Sequence, residues 1–282
     1  MKILLAGSSG QLAKEFIKLF TAEKTDFFAP GEDELDITNR SAISAIIKKY
    51  EPTHIINCAA YNLVDDAEEN PQKAFLVNRD AVEFLALESR EAGVKLVHFS
   101  TDYVFDGQKG DFYTETDVAK PLNKYAQSKY EGELKAKIAQ DSLVFRLSWV
   151  IGQGSQNFLF KLSKWAQGSR TLKISADEVS VPSFTFDIAD IVFKAVKAEL
   201  KGVYHLTNSG YASRYELAKK YIELKNMDNI VLPVFSGSFN LKAKRPLFTP
   251  MSNKLISSSL GIKIPSWEQS LERFCNEYDK KS

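Results

Sequence analysis

The feature that most constrains this chain is a glycine turn, Gly7-Ser8-Ser9-Gly10, set between a short apolar run and an amphipathic stretch. Ile3–Ala6 reads as a buried strand. Gln11–Phe20 reads as a helix that places Leu12, Phe16, Ile17 and Phe20 on one face. A strand that passes directly into a helix through glycine is the opening unit of a strand–helix–strand fold, and the chain goes on repeating that unit.

Asp26–Ala29 reads as a second strand, Ser41–Tyr50 as a helix and His54–Cys58, just after Pro52, as a third strand. A long helix over Pro71–Ala92 stops at Gly93, a natural carboxyl-terminal signal. Lys95–Ser100 and Leu143–Leu147 are further strands, with a helix over Asn123–Ala139 between them. Such alternation predicts an α/β fold, a doubly wound Rossmann-type parallel sheet with right-handed crossovers and helices on both faces. After about Trp149 the pattern becomes irregular, although Asp187–Leu200 and Ser213–Leu224 read as helices, Gly202–Thr207 as a strand and Ser236–Pro250 as loop. The expected organisation is a dinucleotide-binding domain over 1–150, rejoined by segments near 176–200. A smaller α/β domain, mainly substrate-binding, is expected over 151–282.

Composition narrows the function classes. With 37 basic and 36 acidic residues among 282 and no long basic block, neither nucleic acid nor an anionic membrane is the expected main partner. No apolar run approaches the ~20 residues that span a bilayer. The apolar start Met1–Leu5 is too short for a secretion signal and Gly7 interrupts it. Cys58 and Cys275 lack metal-ligand spacing, so a reducing cytoplasm is the expected setting.

The turn itself suggests a cofactor. Gly7 permits the tight bend, Gly10 allows close backbone approach to a pyrophosphate, and the amino end of the helix offers free N–H groups. Ala13 stands at the third glycine position of the usual spacing. Asp26, Glu32, Asp33 and Glu34 surround the end of the second strand, and no Arg or Lys lies between Asp26 and Asn39. Carboxylates suit a ribose 2′-hydroxyl and cations a 2′-phosphate, so the residues lean towards NADH over NADPH. The same acids also suit a plain solvated loop.

Further on, Tyr125 and Lys129 share one helical face, downstream of Ser100-Thr101-Asp102-Tyr103 at a strand end. A hydroxyl from the strand end and a phenol from the helix can meet over one carbonyl, the equipment for protonating it while a cofactor supplies hydride. Any one of these motifs has a structural explanation: a chance Tyr–Lys pair, Asp102 capping a turn, Trp149 in the core. Their joint order after the glycine turn favours the reductive site.

These segments, with Asn57-Cys58-Ala59-Ala60-Tyr61, Pro121-Leu122-Asn123 and Arg146-Leu147-Ser148-Trp149, resemble the extended short-chain dehydrogenase/reductases, and more closely the dTDP-4-dehydrorhamnose reductase family. The resemblance is dense over the first 150 residues and thin beyond. Gly202–Thr207 and Lys244-Arg245-Pro246 are its better carboxyl-terminal matches.

The resemblance implies Tyr125 as general acid, Lys129 as the cation that stabilises the phenolate and holds the nicotinamide ribose, and Thr101 as donor to the carbonyl oxygen. It implies Gly10, Gln11 and Leu12 at the pyrophosphate, with Gly7 in the turn. Asp36 and Ile37 would lie on the adenine side, Ala59, Ala60 and Tyr61 after the third strand, and Asp102 and Trp149 near the sugar. Asn78 reads as a helix-stabilising polar residue rather than a catalyst. Related 4,6-dehydratases carry an Asp-Glu pair after the threonine. Here Asp102 precedes Tyr103, so the second carboxylate is missing and reduction is favoured over elimination.

Departures from the family pattern are Ala126 for glycine, Ile151 for tyrosine, and Asp177-Glu178-Val179-Ser180-Val181-Pro182-Ser183 for Asp-Gln-x-Gly-Ser-Pro-Thr, mostly in the substrate half. Some family members carry magnesium at a dimer interface. Glu15 matches one of its glutamates, the others are not placed in this sequence, and no metal is assigned. The expected activity is NAD(P)H-dependent reduction of the C4 ketone of a nucleotide-activated deoxysugar, with dTDP-4-dehydro-L-rhamnose as leading substrate. Another nucleotide sugar, epimerisation, a non-catalytic NAD(P)-binding subunit and a homodimer stay open.

Overall fold

The structure, a computed structural model, describes residues 1–277 of the chain. The last five residues of the expected 151–282 domain lie outside the described residues. The central sheet contains β1 (Lys2–Ala6), β2 (Asp26–Phe28), β3 (His54–Asn57), β4 (Lys95–Thr101), β5 (Leu143–Leu147) and an edge strand, Gly202–His205. All pairings are parallel, and the order from one edge is Gly202–His205, β5, β4, β3, β1, β2. Each strand expected from an apolar run is present, with its ends within a residue or two.

β1 pairs with β2 on one side and β3 on the other, so the chain leaves it in opposite directions. That reversal opens a crevice at the carboxyl ends of β1 and β3, where open α/β sheets bind ligands.

Both sheet faces are covered. Helix α1 (Gln11–Ala22) and the helix Thr185–Lys197 pack Phe16, Phe20, Ile188, Val192 and Phe193 against one face. On the other, helix α2 (Arg40–Tyr50) and the helices Ala81–Ala92 and Lys124–Ala136 contribute Ile43, Ile47, Val82, Leu85 and Ala136. The return of Thr185–Lys197 and Gly202–His205 to this sheet follows from their apolar character, since each must bury its apolar side chains.

The expected helix over Pro71–Ala92 is not continuous. Pro71–Phe75 and Ala81–Ala92 are α-helical, but Leu76–Asp80 between them is a π-helical turn. The cause lies across the interface: a Cβ on Gly132 would stand 1.8 Å from the Asn78 carbonyl oxygen. The widened turn drives the Asn78 peptide into the space that glycine leaves open. The helix does end at Gly93, which is left-handed with φ 67°.

The second half builds its own core from Ile151, Leu159, Leu162, Leu172, Ile174, Phe184, Tyr221, Trp267 and Leu271. Around it the strands Thr171–Ser175 and Ile230–Val234 pair in parallel, as do Val150–Ile151 and Ser183–Phe184. These short pairs, and the helices Phe158–Gly168, Lys254–Leu260 and Trp267–Glu277, are not among the elements expected from the sequence, although Trp267–Glu277 is strongly amphipathic.

Candidate active site

The glycine turn closes against the end of β3. Gly7 has φ 76°, and a Cβ on it would lie 2.5 Å from the Ala59 nitrogen, so glycine is required twice over. Gly10 donates its N–H to the Gly7 carbonyl at 3.1 Å and caps α1 with no side-chain bond. No acidic side chain occupies the first turn of α1, so its positive end faces the crevice uncompensated, which suits a pyrophosphate.

The expected contact residues here divide into groups. The Gln11 side chain donates to the Val150 carbonyl at 3.0 Å and accepts from Asn157 at 3.3 Å, tying the turn to the second half of the chain. Leu12 and Ile37 are buried in the two sheet cores. The Asp36 carboxylate accepts from the Thr38 N–H and hydroxyl at 2.8 and 2.7 Å.

Past β3, Ala59 donates its N–H to Asn57 at 3.1 Å. Tyr61 is gripped at both backbone groups by Asn78, whose Oδ1 accepts from the Tyr61 N–H at 2.8 Å and whose Nδ2 donates to its carbonyl at 3.0 Å. The same Nδ2 reaches the Ser128 hydroxyl at 3.0 Å, and Ser128 donates to the Tyr125 carbonyl at 2.8 Å. Asn78 therefore does more than support its own helix: it couples the loop 59–61 to the helix carrying Tyr125 and Lys129. Sequence reasoning missed this role, and an asparagine on a buried helix face was the one available signal.

Lys124–Ala136 starts where Asn123 caps it, its Oδ1 accepting from the Ala126 N–H at 2.8 Å. Tyr125 and Lys129 lie on its buried face, 9% and 3% exposed, beside the end of β4. Thr101 is 6% exposed and its hydroxyl accepts from the Tyr103 N–H at 3.2 Å. Burial pushes the Tyr125 phenol well above its ordinary range, while a hydrogen bond with Thr101 pulls it back. The structure thus brings Thr101 and Tyr125 together.

Lys129 donates to the Phe99 carbonyl at 2.6 Å. Burial lowers its pKa to about 8, against the opposing influence of Cys58 and Glu133. The Cys58 thiol is in turn pushed up by burial. His98, nearby on β4, is held neutral by burial and by the Lys129 charge.

Asp102 sits beside Thr101 and Tyr125 but is satisfied internally. One carboxylate oxygen accepts from Ser180 at 2.8 Å and Thr249 at 2.7 Å, and the other from Thr101 at 3.2 Å. It fastens the end of β4 to two segments of the second half. Tyr103 packs edge-on against Tyr125, with ring centroids 6.1 Å apart. Trp149 lies at the end of β5 with φ 38°, a backbone region that bulky residues avoid.

A family model described as the RmlD substrate binding domain matches residues 1–280. The chain belongs to this family. Among the relatives of this RmlD-family protein, a dTDP-4-dehydrorhamnose reductase of Sinorhizobium fredii is 33% identical over 97% of the chain and 96% of its own length. The spore coat polysaccharide biosynthesis protein SpsK of Bacillus subtilis is 31% identical over 98% and 97%. A crystal structure of dTDP-4-dehydrorhamnose reductase from Bacillus anthracis in complex with NADP superposes with a TM-score of 0.95, at 33% identity, covering 98% of this chain and all of that one. The likeness to that structure thus extends beyond the Rossmann-type sheet to the irregular second half. No helix among the described residues is long and apolar enough to cross a membrane.

Proposed function

We propose that this protein is an NAD(P)H-dependent oxidoreductase that reduces the C4 ketone of a nucleotide-activated 6-deoxysugar, with dTDP-4-dehydro-L-rhamnose, giving dTDP-L-rhamnose, as the leading substrate. What supports the reading is the Tyr125 phenol beside the Thr101 hydroxyl, with Lys129 buried one turn on along the same helix and bonded to the Phe99 carbonyl. A bound nicotinamide supplies the hydride. Thr101 orients the ketone oxygen, Tyr125 gives it a proton, and the Lys129 ammonium stabilises the phenolate left behind.

Gly7, Gly10, Gln11 and Leu12 at the amino end of α1, together with Ala59, Ala60 and Tyr61, form the cofactor floor. Asp36 and Ile37 flank the adenine side. Residues up to about 150 bind the cofactor, those beyond mainly the sugar nucleotide, and Asp102 and Trp149 shape the junction. NADH is the preferred cofactor, supported by the absence of Arg or Lys between Asp26 and Asn39. A cytoplasmic setting belongs to the same reading.

The test is oxidation of NADH and NADPH in the presence of dTDP-, UDP- and GDP-linked 4-keto sugars. Wild-type protein should turn over the dTDP sugar fastest. Tyr125→Phe should lower kcat by about 10²- to 10⁴-fold with cofactor affinity retained. Near-normal turnover in that variant rules the mechanism out.

A further inference from the structure

We propose that Arg214 anchors the anionic phosphate linkage of the substrate, as a binding and specificity residue in the second half of the chain; this rests on the nucleotide-sugar reading above. Arg214 opens the helix Arg214–Leu224, whose start is fixed by a reciprocal capping box between Ser213 and Glu216. Its guanidinium carbon lies 3.7 Å from the centroid of the Trp149 ring and 5.1 Å from that of Phe158. A guanidinium stacked in this way keeps its N–H groups, which lie in the plane of the stack, free for a planar, doubly bonded partner.

Arg214 lacks such a partner among the described residues. Among the described residues its side chain makes no hydrogen bond or ion pair. The contrast with Arg245 and Arg146 is direct. Arg245 is closed by Asp65 through two bonds at 3.1 and 2.7 Å, and Arg146 by Glu133 at 3.0 and 2.7 Å.

The carboxylates whose charges act on Arg214 are Glu178 and Asp102; the Arg214 backbone N–H donates to the Glu178 carbonyl at 3.2 Å, but neither carboxylate forms an ion pair with the guanidinium. Asp102 is already occupied by three hydroxyls. Glu178 is 8% exposed, and burial pushes its carboxyl up towards the neutral form, while Arg214 and Arg245 pull the other way. A half-buried cation is thus held without a contacting anion, in the setting where a phosphate is most strongly bound.

Its placement also fits the substrate's geometry. Arg214 directly follows the strand Ala212–Ser213, which pairs with Val179–Ser180, and the Ser180 hydroxyl donates to Asp102 at 2.8 Å, so along this run of contacts Asp102 stands between Arg214 and Thr101. In a hexose the reacting C4 and the phosphate-bearing C1 lie across the ring from each other. A cation set back from the proton donor is therefore where the phosphate must be met. The left-handed backbone at Trp149, held by the Ser183 N–H to Trp149 carbonyl bond at 3.2 Å, fixes the ring on which the guanidinium rests.

The experiment titrates wild type, Arg214→Met and Arg214→Lys with dTDP, UDP, GDP, thymidine and NADPH by calorimetry, with thermal unfolding as the control for folding. Arg214→Met should weaken dTDP about 10- to 100-fold, and Arg214→Lys, which keeps the charge but not the planar fork, by less. Thymidine and NADPH should bind all three proteins within about twofold. Unchanged dTDP affinity in folded Arg214→Met overturns the proposal. So does equal weakening of dTDP and thymidine, which assigns Arg214 to packing alone. Should the methionine variant fail to fold, Arg214→Gln gives the same comparison. A wild-type protein that binds none of the three diphosphates refutes the nucleotide-sugar reading itself, and this assignment with it.

Discussion

Replacing Lys129 by methionine asks how much stability the protein gives up to keep a buried amine on the helix that carries Tyr125. In the cofactor-free protein Lys129 is 3% exposed and its pKa is about 8, against 10.5 for the unperturbed group, because burial disfavours the charged form. The difference of about 2.5 units, at about 1.36 kcal/mol each, makes the buried charge a destabilising contribution of about 3 kcal/mol. The sign follows from proton counts. The folded pKa lies below the unfolded one, so between about 8 and 10.5 the unfolded chain holds more protons and stability rises with pH. The penalty is full below about pH 8 and is lost as pH rises through that window. Lys129→Met removes the charge and keeps most of the apolar stem. The variant should therefore be more stable than wild type near pH 7 by about 1–3 kcal/mol, part of the gain being offset by the lost bond to the Phe99 carbonyl. It should also lose turnover. The assay is urea unfolding of both proteins without cofactor, from about pH 7 to about pH 10. The stability difference should shrink by about 2–3 kcal/mol over that range. A difference that stays flat means that Lys129 titrates as an ordinary surface lysine, and the argument from burial fails.

Gly132→Ala should destabilise by about 1–3 kcal/mol or more, because the added carbon would lie 1.8 Å from the Asn78 carbonyl oxygen; denaturant unfolding measures it, and a loss below about 0.5 kcal/mol contradicts the tight π-turn contact. Glu133→Ala strands Arg146, whose side chain is only 6% exposed, and should cost about 3–5 kcal/mol in the same assay. Gly7→Ala should abolish cofactor binding in titrations with NADH, since the new Cβ collides with the Ala59 backbone and the position requires φ 76°. Retained NADH affinity in a folded Gly7→Ala protein would place the cofactor elsewhere.

The alternation of apolar runs with amphipathic helices was enough to read the sheet, because strand and helix periodicity are local properties of the chain. The glycine turn and the helical spacing of Tyr125 and Lys129 were legible for the same reason. The sequence could not show that Asn78 sits in a π turn joining Tyr61 to Ser128, since that turn exists only where Gly132 lets two helices meet. Nor could it show that Asp102 spends its carboxylate on Ser180 and Thr249, or that Arg214 rests on Trp149 with no ion-pair partner among the described residues. Those groups are distant in sequence and meet only when the second half folds over the sheet. Local pattern determined the strands and helices of the central sheet and where Tyr125 and Lys129 sit on their helix. Tertiary packing alone decided which polar groups are satisfied and which are left open to a ligand, because burial and charge compensation depend on neighbours far along the chain.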